Sequence, residues 1–251
     1  MLGVVGSRKA TCYGLEQTRK LVETLAPLSP CVVSGLAYGI DTKAHQAAVE
    51  FGIPSVAVIG SGLGFVYPNS NRKLCEKMIG NGGLLTEFLY DSIPAAFHFP
   101  MRNRIIAGLS DAVVVMEARK RSGALITAGL AFSYSREVFA YPGRVNDISS
   151  EGCNELVAQN KATIVCSPSD VAVSMQWGKE LLSFSGSVEM PFDMTQDERK
   201  LYDLIQYYST PDVDTLVQKS GFPVASLNVM LLGMECKGLI HSLSGNRYCC
   251  R

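Results

Sequence analysis

The chain has 251 residues, 47% hydrophobic and 18% charged, which supports a sizeable core and excludes intrinsic disorder. Its 23 Lys/Arg balance 23 Asp/Glu, so it is no polycation that coats nucleic acid or an anionic membrane by bulk charge. No apolar run approaches the roughly 18 residues of a membrane span and no secretory leader is visible, so a soluble, cytoplasmic protein is expected.

The first strand is predicted at Leu2–Val5, followed by a helix near Tyr13 to Leu25. Val32-Val33 reads as a buried strand, and Asp41 as the N-cap of a helix running to about Phe51. Strands follow at Pro54–Ile59 and Gly83–Glu87, then a helix from Arg102 to Gly108 and a central strand at Ala112–Met116. Leu125–Tyr134 reads as helix, Glu137–Ala140 as strand, then a helix near Asn154–Gln159, a strand at Ala162–Val165 and a helix near Pro168–Gln176. The strands are apolar without period-two polarity, as in a parallel sheet covered on both faces. The expected fold is therefore α/β, an extended Rossmann-like doubly wound, mostly parallel sheet. Its limits are set at residues 1–178, with a linker at 179–192 containing Ser183-Phe184-Ser185-Gly186-Ser187. Residues 193–251 then offer helices at Thr195–Tyr208, Val213–Lys219 and Ala225–Cys236, and a hairpin at Gly238–Tyr248, a small winged-helix-like domain.

Ligands of open α/β sheets bind beyond the carboxyl ends of the strands. Those ends here carry Gly6-Ser7-Arg8, Ser34-Gly35-Leu36-Ala37-Tyr38-Gly39, Gly60-Ser61-Gly62-Leu63-Gly64 and Arg119-Lys120-Arg121-Ser122-Gly123. Four small-residue loops with Arg alongside suit an anion, since glycine admits close backbone N–H groups and helix N-termini favour negative charge. Position 65 is Phe and strand two ends in Ser34, so the dinucleotide fingerprint is incomplete, and no P-loop motif occurs. No cofactor is expected. The segment from Phe97 to Arg104 offers Phe99, Arg102, Asn103 and Arg104. Arg forks onto phosphate and aromatics stack on unpaired bases. A packing Phe pair with surface Arg fits the composition equally well.

Asp41 and His45 stand i,i+4, but a cap and a packed imidazole are favoured over a proton relay or metal pair. Glu87 and Glu117 end strands, and orienting neighbouring Arg residues or loop amides suits them better than acid–base chemistry. No G-x-S-x-G elbow occurs. The eight Cys lack C-x-x-C or zinc spacing and read as small hydrophobes of a reduced compartment, the Cys249-Cys250 pair as an exposed tail. Neither catalytic nor metal-ligating residues are assigned.

These motifs resemble the DNA-processing protein A (DprA/Smf) family. The likeness is carried by Val5–Arg8, Ser34–Asp41 with Ala44-His45, Gly60–Leu63 with Tyr67-Pro68 and Asn71, Phe99–Ser110, Glu117-Ala118, Ser122–Ala128, Arg136–Val138 and Pro142-Gly143. The resemblance implies a non-enzymatic protein that binds single-stranded DNA, protects incoming strands and loads RecA recombinase in natural transformation, as a homodimer joined through the Rossmann domain. It also implies DNA contacts from Ser7, Arg8, Phe99, Arg102, Asn103 and Arg104, with backbone contacts from the Ser34-Gly35, Gly62 and Ser122-Gly123 loops. Three departures stand out. The first sheet strand begins at residue 2, so the N-terminal helical domain of many members is expected to be missing. Ala95-Ala96 stand where many members place basic residues, and Asn160-Lys161 where Gly-Ala is usual. The alternative is a nucleotide-binding phosphoribohydrolase of the lysine decarboxylase-like type. Its P-G-G-x-G-T-x-x-E signature puts a catalytic Glu on the helix after its loop, whereas Ser122–Ala128 contains no acid.

The C-terminal module is expected not to bind duplex DNA. Residues 190–251 hold six Lys/Arg against seven Asp/Glu, a net of −1, and Ala225–Cys236 has no basic residue. A duplex reader must first neutralise phosphate. Leu227, Met230, Leu231, Leu232 and Met234 exceed what one helix face needs, so they either all pack internally or meet another protein surface.

Overall fold

The computed structural model describes residues 1–178, 194–208, 210–243 and 247–250; the expected linker at 179–192 lies outside the described residues. The chain divides into two compact units, Met1–Leu182 and Ser183–Arg251.

The first unit is built on seven strands: β1 Leu2–Val5, β2 Val32–Ser34, β3 Ser55–Val58, β4 Gly82–Leu85, β5 Ala112–Val115, β6 Glu137–Ala140 and β7 Thr163–Ile164. They lie in the order β4-β3-β2-β1-β5-β6-β7, every pair parallel. Alternate residues of each strand serve opposite faces. Leu2, Val4, Ala112, Val114 and Phe139 join one core with helices α1 (Cys12–Leu25), α2 (Ile40–Glu50) and α7 (Ser169–Ser174). Val5, Val113, Val115, Val138 and Ala140 join the other, beneath α4 (His98–Leu109), α5 (Gly123–Ser133) and α6 (Glu151–Ala158). Trp177, the sole tryptophan, packs half-buried against the first of these cores. A short α3 (Arg72–Met78), absent from the sequence reading, covers β3 through Cys75 and Met78.

Two helix starts differ from expectation. The N-cap of α2 is Gly39, so Asp41 lies inside the first turn. Its Oδ2 accepts the N–H groups of Gly35 (3.1 Å) and Ala37 (3.4 Å). The carboxylate closes the β2–α2 loop rather than capping the helix. α4 begins at His98, four residues early, because Pro100 is tolerated in a first helical turn. The Arg102-Asn103-Arg104 run therefore sits in the second turn, where successive side chains point about 100° apart.

In the second unit, α8 (Gln196–Tyr208), α9 (Val213–Ser220) and α10 (Val224–Cys236) precede an antiparallel hairpin of β8 (Ile240–Leu243) and β9 (Arg247–Cys250). A capping box starts α8, with Glu198 N–H donating to Thr195 Oγ1 and Thr195 N–H to Glu198 Oε2. Asp212 caps α9, and Gly221, left-handed at φ 73°, ends it. Leu201, Ile205, Leu216, Leu227, Leu231, Met234 and Ile240 form a separate core. Of the surplus apolar residues on α10, Met230 packs partly against that core and Leu232 remains exposed, as does Val229.

Candidate nucleic-acid interface

The strand order reverses direction at β1, so the loops after β1 and β5 diverge to opposite faces and leave a crevice at the carboxyl edge. A cleft of about 520 Å³ opens there. Ser7 and Arg8 enter it from the β1–α1 loop, Phe99, Arg102 and Asn103 from α4, and Ser122 and Gly123 from the start of α5.

The β1–α1 loop is held by a buried acid. Glu117, at the end of β5, accepts the Thr11 N–H (2.9 Å) and the Thr11 hydroxyl (2.5 Å), while Thr11 caps α1 by accepting from Gly14 N–H (3.1 Å). A Cβ on Gly14 would lie 2.4 Å from the Glu117 carboxyl carbon, so only glycine permits this approach. The expected orienting role of Glu117 is therefore the one its contacts give it. Arg8 is exposed, and its guanidinium lies 5.2 Å from the centroid of the Phe99 ring. Arg8, Lys9, Arg119, Lys120 and Arg121 are all exposed on the two loops flanking the crevice. Among the described residues none of the five takes part in an ion pair. Lys9 and Arg119 also line the cleft, beyond the residues expected from sequence. The sequence signal that marks them is their place in loops that follow strand ends.

The Arg-Asn-Arg run separates. Arg102 is buried and donates to the carbonyls of Gly35 (2.7 Å) and Val58 and to Asn103 Oδ1 (3.2 Å). Burial pulls its guanidinium down to about 10, Asp41 opposing and Arg8 adding to the shift, so it stays protonated at neutral pH. It forms the charged floor of the cleft rather than a free arm. Asn103 reaches the Gly123 carbonyl at 3.4 Å and ties α4 to α5. Arg104 points away and pairs with Glu87, outside the cleft lining. A helix cannot aim three consecutive side chains at one strand, which is what the linear motif had suggested.

The Ser34-Gly35 loop also differs from expectation. Ser34 is fully buried and donates to the Val4 carbonyl at 2.6 Å. Gly35 spends its N–H on Asp41 and its carbonyl on Arg102, and a Cβ there would sit 2.6 Å from the guanidinium. Neither backbone group is left for a ligand; the glycine makes room for Arg102. Gly62 likewise packs against the carbonyls of Leu89 and Tyr90 and donates to Ser92 O at 2.8 Å, outside the cleft lining. At α5 the Leu125 N–H donates to the Ser122 carbonyl at 3.1 Å, which leaves the Gly123 and Ala124 N–H groups without an acceptor within the helix, and the buried Ser122 Oγ has no partner among the described residues. Ser122, Gly123, Arg8 and Arg119 thus line the same cleft.

Asp41 and His45 do not form a relay. The His45 Nδ1 shares a hydrogen bond with Ser55 Oγ at 2.7 Å, and its Nε2 has no partner among the described residues. Burial, aided by the Arg102 charge, depresses the imidazole to about 3. Burial pushes the Asp41 carboxyl up to about 6, against the pull of Arg102 and two backbone N–H groups. Among the described residues no group of His, Cys, Asp and Glu could hold a metal ion, and no helix is long and apolar enough to cross a membrane.

Residues 1–176 match the family model described as DNA recombination-mediator protein A, and residues 189–246 match the DprA winged helix domain. Protein Smf of Escherichia coli (strain K12) is 38% identical over 255 residues, covering 97% of this chain and 66% of the relative. DNA processing protein DprA of Streptococcus pneumoniae is 45% identical over 177 residues, 70% of this chain and 62% of the relative. The chain thus spans about two thirds of the length of these relatives. Among solved structures, that of DprA from Streptococcus pneumoniae superposes with a TM-score of 0.64 at 43% identity, over 68% of this chain and 60% of the other. A structure of DNA processing protein A from Helicobacter pylori, described for its single-stranded DNA binding mode, gives 0.64 at 30% identity over 70% and 79%.

Proposed function

The chain belongs to the DNA recombination-mediator protein A (DprA/Smf) family, and on that premise we propose that it is a non-enzymatic single-stranded-DNA-binding protein. The observation that carries this is the cleft at the strand-order reversal. It combines five exposed cations on its flanking loops, unpaired donors at α5 and the aromatic ring of Phe99 under Arg8. Cations and backbone N–H groups take phosphates without reading sequence, and an aromatic face accepts any unpaired base. The Helicobacter pylori structure supports the same ligand class by its described binding mode.

The strand so held is then passed to a RecA-type recombinase during transformation, by a homodimer; this part of the proposal rests on the family. An enzyme of the phosphoribohydrolase type is disfavoured by the acids present. Glu117 is occupied by Thr11, and Asp41 by Gly35 and Ala37. The deciding experiment is an anisotropy titration with labelled oligo-dT, competed by an equal-length duplex and by nucleoside monophosphates. Oligo-dT is expected to bind and resist both competitors. A duplex competing as well as the single strand overturns the proposal, as does release of free base from the monophosphates.

A further inference from the structure

The two walls of the cleft differ in chemistry. The loops after β1 and β5 carry Arg8, Lys9, Arg119, Lys120 and Arg121, whereas residues 34–40 and 60–68, after β2 and β3, contain no charged residue. In place of charge the second wall presents Tyr38 and Tyr67, 51% and 46% exposed. Both line a recess shared with Arg8 and Phe99, which also line the main cleft, so the two spaces adjoin. Tyr67 lies 5.8 Å from Phe99, ring centroid to ring centroid, tilted by 44°.

The loop carrying Tyr38 is fixed on every side. Leu36, fully buried, adopts a left-handed φ of 60°, a conformation a branched-chain residue keeps only where its surroundings impose it. The buried Asn71 amide holds it there, donating to the Leu36 carbonyl at 2.9 Å and to Thr42 Oγ1 at 2.8 Å. Thr42 in turn donates from its hydroxyl to the Ala37 carbonyl at 2.6 Å. Gly39, at φ 78°, packs so tightly on the Arg8 loop that a Cβ would fall 2.3 Å from the Ser7 carbonyl oxygen. A half-exposed aromatic ring on a loop this constrained is pre-organised for a flat apolar ligand, because little freedom remains to be lost on binding.

We propose that Tyr38 and Tyr67 form a stacking seat for a nucleobase of the bound strand. Bases then lie over the uncharged β2–β3 wall while phosphates run along the cationic β1–β5 wall. The seat rests on the single-strand reading above and adds to it an orientation and two residues. Its ligand is any base, since stacking uses the ring face and no side chain there reads a Watson–Crick edge.

The test uses the full chain with two probes of equal length and charge, oligo-dT and an abasic oligonucleotide. The unaltered protein is expected to prefer oligo-dT. Tyr38→Ala should weaken oligo-dT binding about ten-fold and leave abasic binding unchanged, while Tyr38→Phe retains the affinity. Tyr67→Ala should act in the same direction, and Arg8→Ala should weaken both probes. Equal binding of the two probes by the unaltered protein, or an equal loss on both from Tyr38→Ala, overturns the seat and leaves the single-strand reading standing. Binding of neither probe overturns that reading and the seat with it.

Discussion

Arg8 and Arg102 both face the cleft, yet they do different work. Arg8 is exposed and makes no ion pair among the described residues, so its charge is available to a ligand. Arg8→Ala should weaken oligo-dT binding several-fold, lower the salt slope by about 0.7 for one lost phosphate contact, and leave the melting temperature nearly unchanged. Arg102→Ala should instead unfold the first unit at lower temperature, costing about 3 kcal/mol or more. It strips the buried Asp41 of its counter-charge and leaves the Gly35 and Val58 carbonyls unpaired. Paired binding isotherms and melts of the two variants check this; an Arg102→Ala protein as stable as the parent refutes it. The same buried cluster sets a pH dependence. Asp41 is raised from 3.8 to about 6 by burial, so its contribution to stability is full below pH 4 and lost as pH rises through 6. His45 is lowered from 6.5 to about 3, so its contribution is full above pH 6.5 and lost as pH falls toward 3. Between pH 4 and 6 the two slopes oppose each other. Melts of His45→Gln should therefore fall in temperature as pH rises from 4 to 6, whereas the parent stays flatter across that window.

At the level of elements, the strands were legible because runs such as Ala112–Val115 are apolar at every position, which a sheet buried on both faces requires. The start of α4 was not, since Pro100 and the aromatic run read as loop until the first turn is seen to accept them. α3 was missed because seven residues after a Pro-Asn turn offer too few periods to register. For the site, the loops were visible as Gly-rich strand ends, but which glycine faces ligand and which faces Arg102 depends on three-dimensional neighbours. Gly35 and Gly62 have the composition of ligand loops and the contacts of packing residues. The second unit follows the winged-helix pattern while its α10 lacks any Lys or Arg and exposes Val229 and Leu232. A fragment of residues 183–251 is accordingly expected to show no duplex binding in gel shifts at physiological salt, and residues 1–182 to retain most single-strand affinity. Micromolar duplex binding by the smaller fragment would contradict this.

For the whole molecule, the proposed transfer of a strand to a filament would gain from two linked sites, because the second contact forms at high effective concentration. A homodimer of closed two-fold symmetry is expected. Light scattering at tens of micromolar protein should return twice the chain mass of 27.1 kDa, and a monomer mass would count against the proposal. The placement of Trp177 on the core of the first unit has a consequence of its own. Indole emission reports on that unit alone, while circular dichroism sums the helices of both. If the units melt independently, the two optical signals trace different transitions, and a single apparent midpoint from emission describes only the unit that holds the cleft.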